Sequence, residues 1–212
     1  MDWTPLLLTF KLAFVTTCFL LLIGIPLAYW LAYTRFRFKP AVEAILSLPL
    51  VLPPSVLGFY LLLLFSPKQP VGGFLDTVFN IRLVFSFGGL VLASIIYSLP
   101  FMVQPIQSGL QALPSSLRDA AYTLGKSPFQ TAIHVLLPNI KTSLLTGAVL
   151  AFAHTIGEFG LVLMIGGNIP GETKVASIAI YDEVESLHYS QAHAYSLILL
   201  TISFTILLVV YW

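Results

Sequence analysis

Residues 12–34 read LAFVTTCFLLLIGIPLAYWLAYT, a run of 23 residues between Lys11 and Arg35 that contains no Asp, Glu, Lys or Arg. A helix needs about 20 mostly apolar residues to cross the roughly 30 Å hydrocarbon core of a bilayer. The run exceeds the apolar region of a secretory signal, which has about 7–15 residues. Because backbone polar groups in lipid must bond within their own segment, this run predicts a transmembrane helix.

The composition of the whole chain agrees with that reading. Of 212 residues, 58% are hydrophobic and 9% are charged, whereas soluble domains have about 25% charged residues. The net charge of +1 argues against a surface for nucleic acid, and the single cysteine excludes a disulfide framework and a cysteine zinc site. These numbers exclude a soluble enzyme, a disordered chain and a nucleic-acid-binding protein, and they leave a membrane protein with several spans.

Further stretches without charge divide the chain into helices. We predict an all-α integral membrane protein with a single transmembrane domain over residues 1–212. Its five spans are expected at about 10–33, 45–65, 83–108, 140–165 and 194–212. Since Trp and Tyr favour the membrane interface, the last helix is expected to end at Tyr211–Trp212.

The basic residues predict the orientation of these spans. Arg35, Arg37 and Lys39 directly follow the first span, and cytoplasmic loops carry an excess of Lys and Arg. The loops 34–44 and 109–139 hold six of the ten bases, counting Lys141 at the membrane edge. We therefore expect these loops in the cytoplasm, the N-terminus outside and the C-terminus in the cytoplasm.

The loop 109–139 contains the signals of two short helices. Ser116 and Asp119 have the spacing of a capping box, and Gly125 suits a helix end with positive φ. An apolar stripe at helical spacing is formed by Leu117, Ala120, Ala121 and Leu124. The sequence predicts a first helix with one apolar face that ends at the glycine.

The second helix of this loop has its own boundaries. Ser127 can cap it with Pro128 at its first position, and Pro138 is expected to end it. Two roles stay open for the pair of helices: they lie on the lipid surface, or they dock into a groove on a cytoplasmic partner. The shortage of Lys and Arg on the polar side disfavours the lipid surface.

The order of residues in this loop resembles the EAA loop of ABC-importer permeases. Asp119-Ala120-Ala121, Gly125 and Leu137-Pro138 match its pattern, with Asp in place of the usual Glu. The resemblance implies that residues 113–138 form a coupling helix seated in a groove of a cytoplasmic ATPase subunit. It implies coupling roles for Asp119, Ala120, Ala121, Leu124, Gly125, Leu137 and Pro138.

Two further segments are similar to the molybdate branch of that family, namely residues 48–58 (LPLVLPPSVLG) and residues 157–171. The resemblance implies a permease subunit in the cell inner membrane that imports molybdate by alternating access, with sulfate or tungstate as alternatives. It also implies an external oxyanion-binding protein. Five helices are too few to enclose a pathway and also bind a motor, so we expect a homodimer.

The chain itself is expected to be non-catalytic and to need no cofactor. The motif Gly125-Lys126-Ser127 lacks the first glycine of a phosphate-binding P-loop, because Ala120 stands in its place. ATP would therefore be hydrolysed by a separate subunit. A secondary transporter and a membrane-embedded enzyme remain as rivals, although no internal repeat favours the first.

Glu158 is the acidic residue expected at membrane depth. It stands between Gly157 and Gly160, which would let another helix come close, and His154 four residues earlier would share its helix face. We predict that Gly157, Glu158 and Gly160 belong to the pathway wall or gate, with a proton relay and a metal site as weaker alternatives. Since no Lys or Arg lies in the interior of a span, no tight anion site is expected. Pro53-Pro54 is expected to kink the second span.

Overall fold

A computed structural model describes the backbone of residues 2–211 and the side chains of residues 2–208, so the interfacial role expected of Trp212 lies outside it. Regular structure within the described part is entirely helical, which confirms the predicted fold class. The helices are α1 Thr4–Tyr33, α2 Lys39–Val51, α3 Pro54–Phe65, α4 Pro70–Phe79, α5 Phe87–Ala112, α6 Ser115–Thr123, α7 Pro128–Thr131, α8 Leu137–Asn139, α9 Lys141–Ile156, α10 Gly160–Gly166, α11 Ala176–Glu185 and α12 Tyr189–Tyr211. A π-helical turn, Ala132–Leu136, joins α7 to α8.

Three of the described helices, α1, α5 and α12, are each long and apolar enough to cross a membrane without a break. The other two candidate spans are bent pairs: α2 with α3 at 113°, and the segment Pro128–Asn139 with α9 at 80°. The expected second span is therefore broken, and the predicted kink at Pro53–Pro54 is a sharp bend of 113°. Pro53 cannot donate a backbone hydrogen bond, so the helix ends just before it.

The fourth predicted span, 140–165, is also not one helix. α9 ends at Ile156, and α10 begins at Gly160. Between them the chain leaves the helical path at Gly157–Phe159, inside the expected span. This interruption places Glu158 outside both helices, where its backbone and side chain can reach other elements.

The core is built around α5. α1 and α9 pack along it, and the buried residues Leu20, Met102 and Ile106 belong to one of its clusters. Two glycines permit the contact at Met102: a Cβ at Gly24 would lie 2.7 Å from its Cγ, and a Cβ at Gly147 would lie 3.0 Å from its carbonyl oxygen. Small residues let membrane helices approach closely, so α1, α5 and α9 form the closely packed centre of the fold.

Candidate functional site

A cavity of about 580 Å³ lies where the start of α3 meets the break between α9 and α10. Tyr97, on its α5 side, stands ten residues after Phe87 at the start of that helix, which is about 15 Å of helical rise. That distance is about half of a hydrocarbon core, so we expect the cavity at about half the depth of the α5 span. Its lining consists of Pro54, Ser55, Tyr97, Ala153, His154, Gly157, Glu158, Phe159 and Gly160.

The first turns of α3 and α10 touch beside this cavity. A Cβ at Gly160 would lie 3.3 Å from the Ser55 amide nitrogen and 3.4 Å from the Pro54 Cβ. Further along the same pair of helices, a Cβ at Gly58 would lie 3.1 Å from the Leu161 Cα. The close approach expected at Gly160 is present, and it joins α3 and α10 into one packed unit. Gly157 has no such neighbour, since the nearest atoms to its Cβ position lie at 3.8 Å.

Glu158 connects the break in the fourth span to two other helices. It is 4% exposed, its Oε2 accepts a hydrogen bond from the Ser94 hydroxyl on α5 at 2.8 Å, and its carbonyl accepts one from the Ser177 hydroxyl on α11 at 2.6 Å. Its other carboxyl oxygen, Oε1, is buried and has no hydrogen-bond partner. A buried polar atom without a partner is costly, so Oε1 marks a place where a donor would be stabilising.

His154 also lines the cavity, and the expectation that it shares a helix face with Glu158 is wrong. α9 has already ended when the chain reaches Glu158, so the two residues line the same cavity without belonging to one helix. The His154 Nδ1 lies 2.9 Å from the Ser98 hydroxyl, and its ring stacks on Phe101 with ring centroids 4.0 Å apart. These contacts fix the ring and use only one of its two nitrogens.

The sequence did not identify the polar residues that α5 contributes. Ser94 and Ser98 are fully buried and lie four residues apart, so both project from one face of an otherwise apolar helix. Hydroxyls at helical spacing inside a span are a usable signal of a polar cavity. The signal was weak because serine in a membrane helix can also bond to its own backbone.

The loop between α5 and α9 has the expected helix–glycine–helix form with two corrections. α6 begins directly after Pro114, so Ser116 lies inside the helix and the proposed capping box with Asp119 does not form. The glycine turn is confirmed: Gly125 has φ 75°, and the Lys126 amide donates to the Ala121 carbonyl at 3.0 Å. That bond closes the helix end as a Schellman motif.

The second helix of the loop starts as predicted and ends later than predicted. The Ser127 hydroxyl oxygen accepts a hydrogen bond from the Gln130 backbone amide, and the Gln130 Oε1 accepts one from the Ser127 backbone amide. The two bonds form a full capping box. Pro138 does not end the helix. It lies in the first turn of α8, directly after the π-helical turn, and the bend comes at Ile140. The Arg118 guanidinium lies 4.8 Å from the centre of the Tyr33 ring and ties the loop to the end of α1.

Burial divides the residues assigned to coupling. Ala121 is only 4% exposed because α6 packs this side against α7 and the π-helical turn, whereas Leu124 is 80% exposed. The stripe is therefore not a single free face, and Ala121 already contacts its own chain. The residues left on the outer surface of the loop are Asp119, Ala120, Leu124, Gly125 and Pro138, while Leu137 is half-buried.

Comparison with known proteins gives one family. Residues 24–212 match the family model described as "Binding-protein-dependent transport system inner membrane component". The chain is 46% identical to the molybdenum transport system permease protein ModB of Azotobacter vinelandii, over 99% of this chain and 93% of that protein. It is 38% identical to a probable sulfate transport system permease protein of Marchantia polymorpha, over 94% of this chain and 69% of that protein.

A likeness to a solved structure concerns the fold. A chain of the MetNI methionine ABC transporter in inward-facing conformations superimposes with a TM-score of 0.74 at 18% identity. The alignment covers 97% of this chain and 91% of that chain, so the two chains share one overall fold.

Proposed function

This chain belongs to the family of binding-protein-dependent transport system inner membrane components, and from that membership we propose that it is the permease subunit of an ATP-driven molybdate importer. The substrate assignment rests on the 46% identity to a molybdenum permease over nearly the full length of both proteins. The sulfate relative is less similar, and the chain covers only 69% of it. Sulfate and tungstate remain the alternatives because all three are tetrahedral oxyanions.

The geometry suggests how such a subunit would work. We place Gly157, Glu158 and Gly160 at the gate, because the contact of α3 with α10 closes one wall of the cavity there. A change in the angle between α2 and α3, or between α9 and α10, would move this packed unit against α5. That movement would change the lengths of the hydrogen bonds that Glu158 accepts from Ser94 and Ser177.

Coupling to ATP hydrolysis would come from the cytoplasmic loop. The exposed residues Asp119, Ala120 and Leu124 would face the ATPase groove, while the Ala121 contact and the Gly125 turn would hold the loop in shape. Leu137 and Pro138 would join this surface to α9, so a movement of the ATPase would reach the gate through one helix. The chain makes and breaks no bonds itself, and family members act with a separate ATPase and a binding protein.

The complete transporter would contain two copies of this single-domain chain around one pathway. Each copy would place its N-terminus outside and its C-terminus in the cytoplasm, as the bases after α1 indicate.

Uptake in reconstituted vesicles tests the function. Vesicles that contain the permease, its ATPase and the external binding protein are expected to accumulate radiolabelled molybdate only when ATP is supplied. Omitting any one of the three proteins should abolish uptake. Accumulation of sulfate in preference to molybdate would overturn the substrate assignment, and uptake without the ATPase would overturn the importer.

Cysteine labelling tests the orientation. Cys18 is the single cysteine, so a Cys18→Ser background leaves room for one reporter thiol at a time. Lys126→Cys is expected to stay unlabelled by an impermeant thiol reagent in intact cells and to react in inverted vesicles, because Lys126 is exposed on the cytoplasmic loop. Glu172→Cys, on the opposite side, should show the reverse pattern. Labelling of Lys126→Cys from outside would contradict the proposed topology.

A further inference from the structure

Three helix ends meet where the loop 109–139 leaves the core of the fold. α1 ends at Tyr33, α5 ends at Ala112, and α6 begins at Ser115. A cavity of about 220 Å³ is lined by residues of all three helices, among them Tyr33, Leu110 and Arg118. The last turn of a helix has carbonyl groups without a partner in the helix and a partial negative charge. The ends of α1 and α5 therefore favour a hydrogen-bond donor and a cation at this junction.

Tyr33 joins two of these helix ends. Its hydroxyl donates to the carbonyl of Leu110, in the last turn of α5, at 3.0 Å, and Leu110 is fully buried. Its ring packs edge-on against Tyr29, one turn earlier on α1, with ring centroids 5.2 Å apart. These two contacts hold the Tyr33 ring in one place, so its face offers a fixed surface to the third helix.

Arg118 is the side chain that connects α6 to this junction. The backbone of α6 packs on α7 and the π-helical turn, whereas the Arg118 guanidinium lies 4.8 Å from the centre of the Tyr33 ring on α1. Arg118 and Ala121, three residues apart, share the inner face of α6, and Asp119 and Ala120 between them are exposed. α6 thus has one face toward its own chain and another that the proposed function gives to the ATPase.

We propose that Arg118 and Tyr33 act as a positioning pair, which transmits movement of α6 to the ends of α1 and α5 as a second route beside α9. The proposal rests on the proposed function, since it takes α6 to be the helix that the ATPase moves. α1 and α5 pack along each other, and α5 carries the Ser94 hydroxyl that binds Glu158. A displacement of Arg118 would therefore reach the proposed gate through α5.

The coupling ratio, defined as molybdate taken up per ATP hydrolysed, tests the pair in vesicles that contain permease, ATPase and binding protein. Arg118→Gln is expected to lower this ratio by about 3- to 30-fold, the range for a cation–ring contact partly shielded from water. Its affinity for the ATPase should not change. Arg118→Lys keeps a cation at the ring and should stay within about twofold of the wild type. Arg37→Gln, the matched control, removes an exposed guanidinium from the loop after α1 and should behave as the wild type.

A double variant shows whether the two side chains act through each other. Tyr33→Leu removes both the ring and the hydroxyl, so its coupling ratio should fall at least as far as that of Arg118→Gln. Adding Arg118→Gln to Tyr33→Leu should lower the ratio no further, because both changes break one contact. Fully additive losses, a wild-type ratio in Arg118→Gln, or a ratio that falls only together with the affinity for the ATPase would each overturn the proposal.

A covalent bridge between the same two positions measures a gain of coupling. In the Cys18→Ser background, Arg118→Cys combined with Tyr33→Cys should show a lowered coupling ratio. A short bifunctional maleimide, applied before the ATPase is added, should restore the ratio. The bridge forms only where α6 has folded against α1, so this measurement decides the matter even where Arg118→Gln does not assemble. A bridged permease that stays uncoupled would contradict the proposal.

The readouts separate the positioning pair from the function on which it rests. If wild-type vesicles accumulate sulfate and not molybdate, the substrate assignment fails, and the coupling ratio is measured with sulfate instead. If wild-type vesicles accumulate molybdate and Arg118→Gln keeps the wild-type ratio, the pair fails and the function stands.

Discussion

An aspartate in place of Leu124 is expected to lower the affinity of the permease for its ATPase by at least about tenfold while leaving all spans inserted. Leu124 is an apolar side chain, 80% exposed, on the loop that we assign to coupling. Full burial of a leucine contributes about 1.5–3 kcal/mol, which corresponds to roughly 10- to 150-fold in binding. A carboxylate in the same groove would add a desolvation cost.

The measurement is titration of the ATPase onto the purified variant, together with its substrate-stimulated hydrolysis rate in vesicles. Leu187→Asp is the matched control, because Leu187 is 70% exposed and lies just before α12, outside the loop that we assign to coupling. Its φ of 61° is one that aspartate tolerates better than leucine does. Wild-type affinity in Leu124→Asp would show that the ATPase does not use this surface.

The two alanines of the loop show where sequence reasoning reached its limit. Ala120 and Ala121 have the same chemistry and neighbouring positions on one stripe, yet Ala120 is exposed and Ala121 is 4% exposed. The difference arises from the π-helical turn that packs beneath α6, and that turn carries no local signal. The Gly125 turn and the Ser127 cap could be predicted because both depend on residues within one helical turn.

The spans were predictable for a similar reason. Hydropathy depends on composition alone, so the expected spans 10–33 and 83–108 agree with the bounds of α1 and α5 to within six residues. Two prolines, Pro53 and Pro54, predicted the break before α3. No proline lies at the break between α9 and α10. That break is stabilised by partners distant in sequence, namely Ser94 and Ser177, whose hydroxyls bind Glu158. A functional role for Glu158 could be predicted because a charged residue is expected at membrane depth. Its hydrogen-bond partners could not be predicted, because they depend on the tertiary fold.

Gly160→Leu is expected to reduce molybdate uptake by at least about fivefold without preventing membrane insertion. A side chain at this position would meet the backbone of Ser55 and the ring of Pro54 at 3.3–3.4 Å, and neither can rotate away. Overpacking of this kind costs about 1–3 kcal/mol, or roughly 5- to 150-fold in the population of the conformation that packs α3 on α10. Uptake and ATP hydrolysis in the same vesicles measure the loss and show whether hydrolysis continues uncoupled.

Gly157→Leu distinguishes close packing from backbone freedom as the reason for glycine at the proposed gate. Gly157 is exposed, its φ of −83° suits any residue, and the nearest atoms to its Cβ position lie at 3.8 Å. A side chain there would add bulk to the cavity lining without meeting an atom closer than 3.8 Å, so we expect uptake to fall by less than in Gly160→Leu. Equal losses in the two variants would mean that the break needs flexible residues on both sides of Glu158. A loss confined to Gly160→Leu would place the moving contact between α3 and α10, at the wall of the cavity.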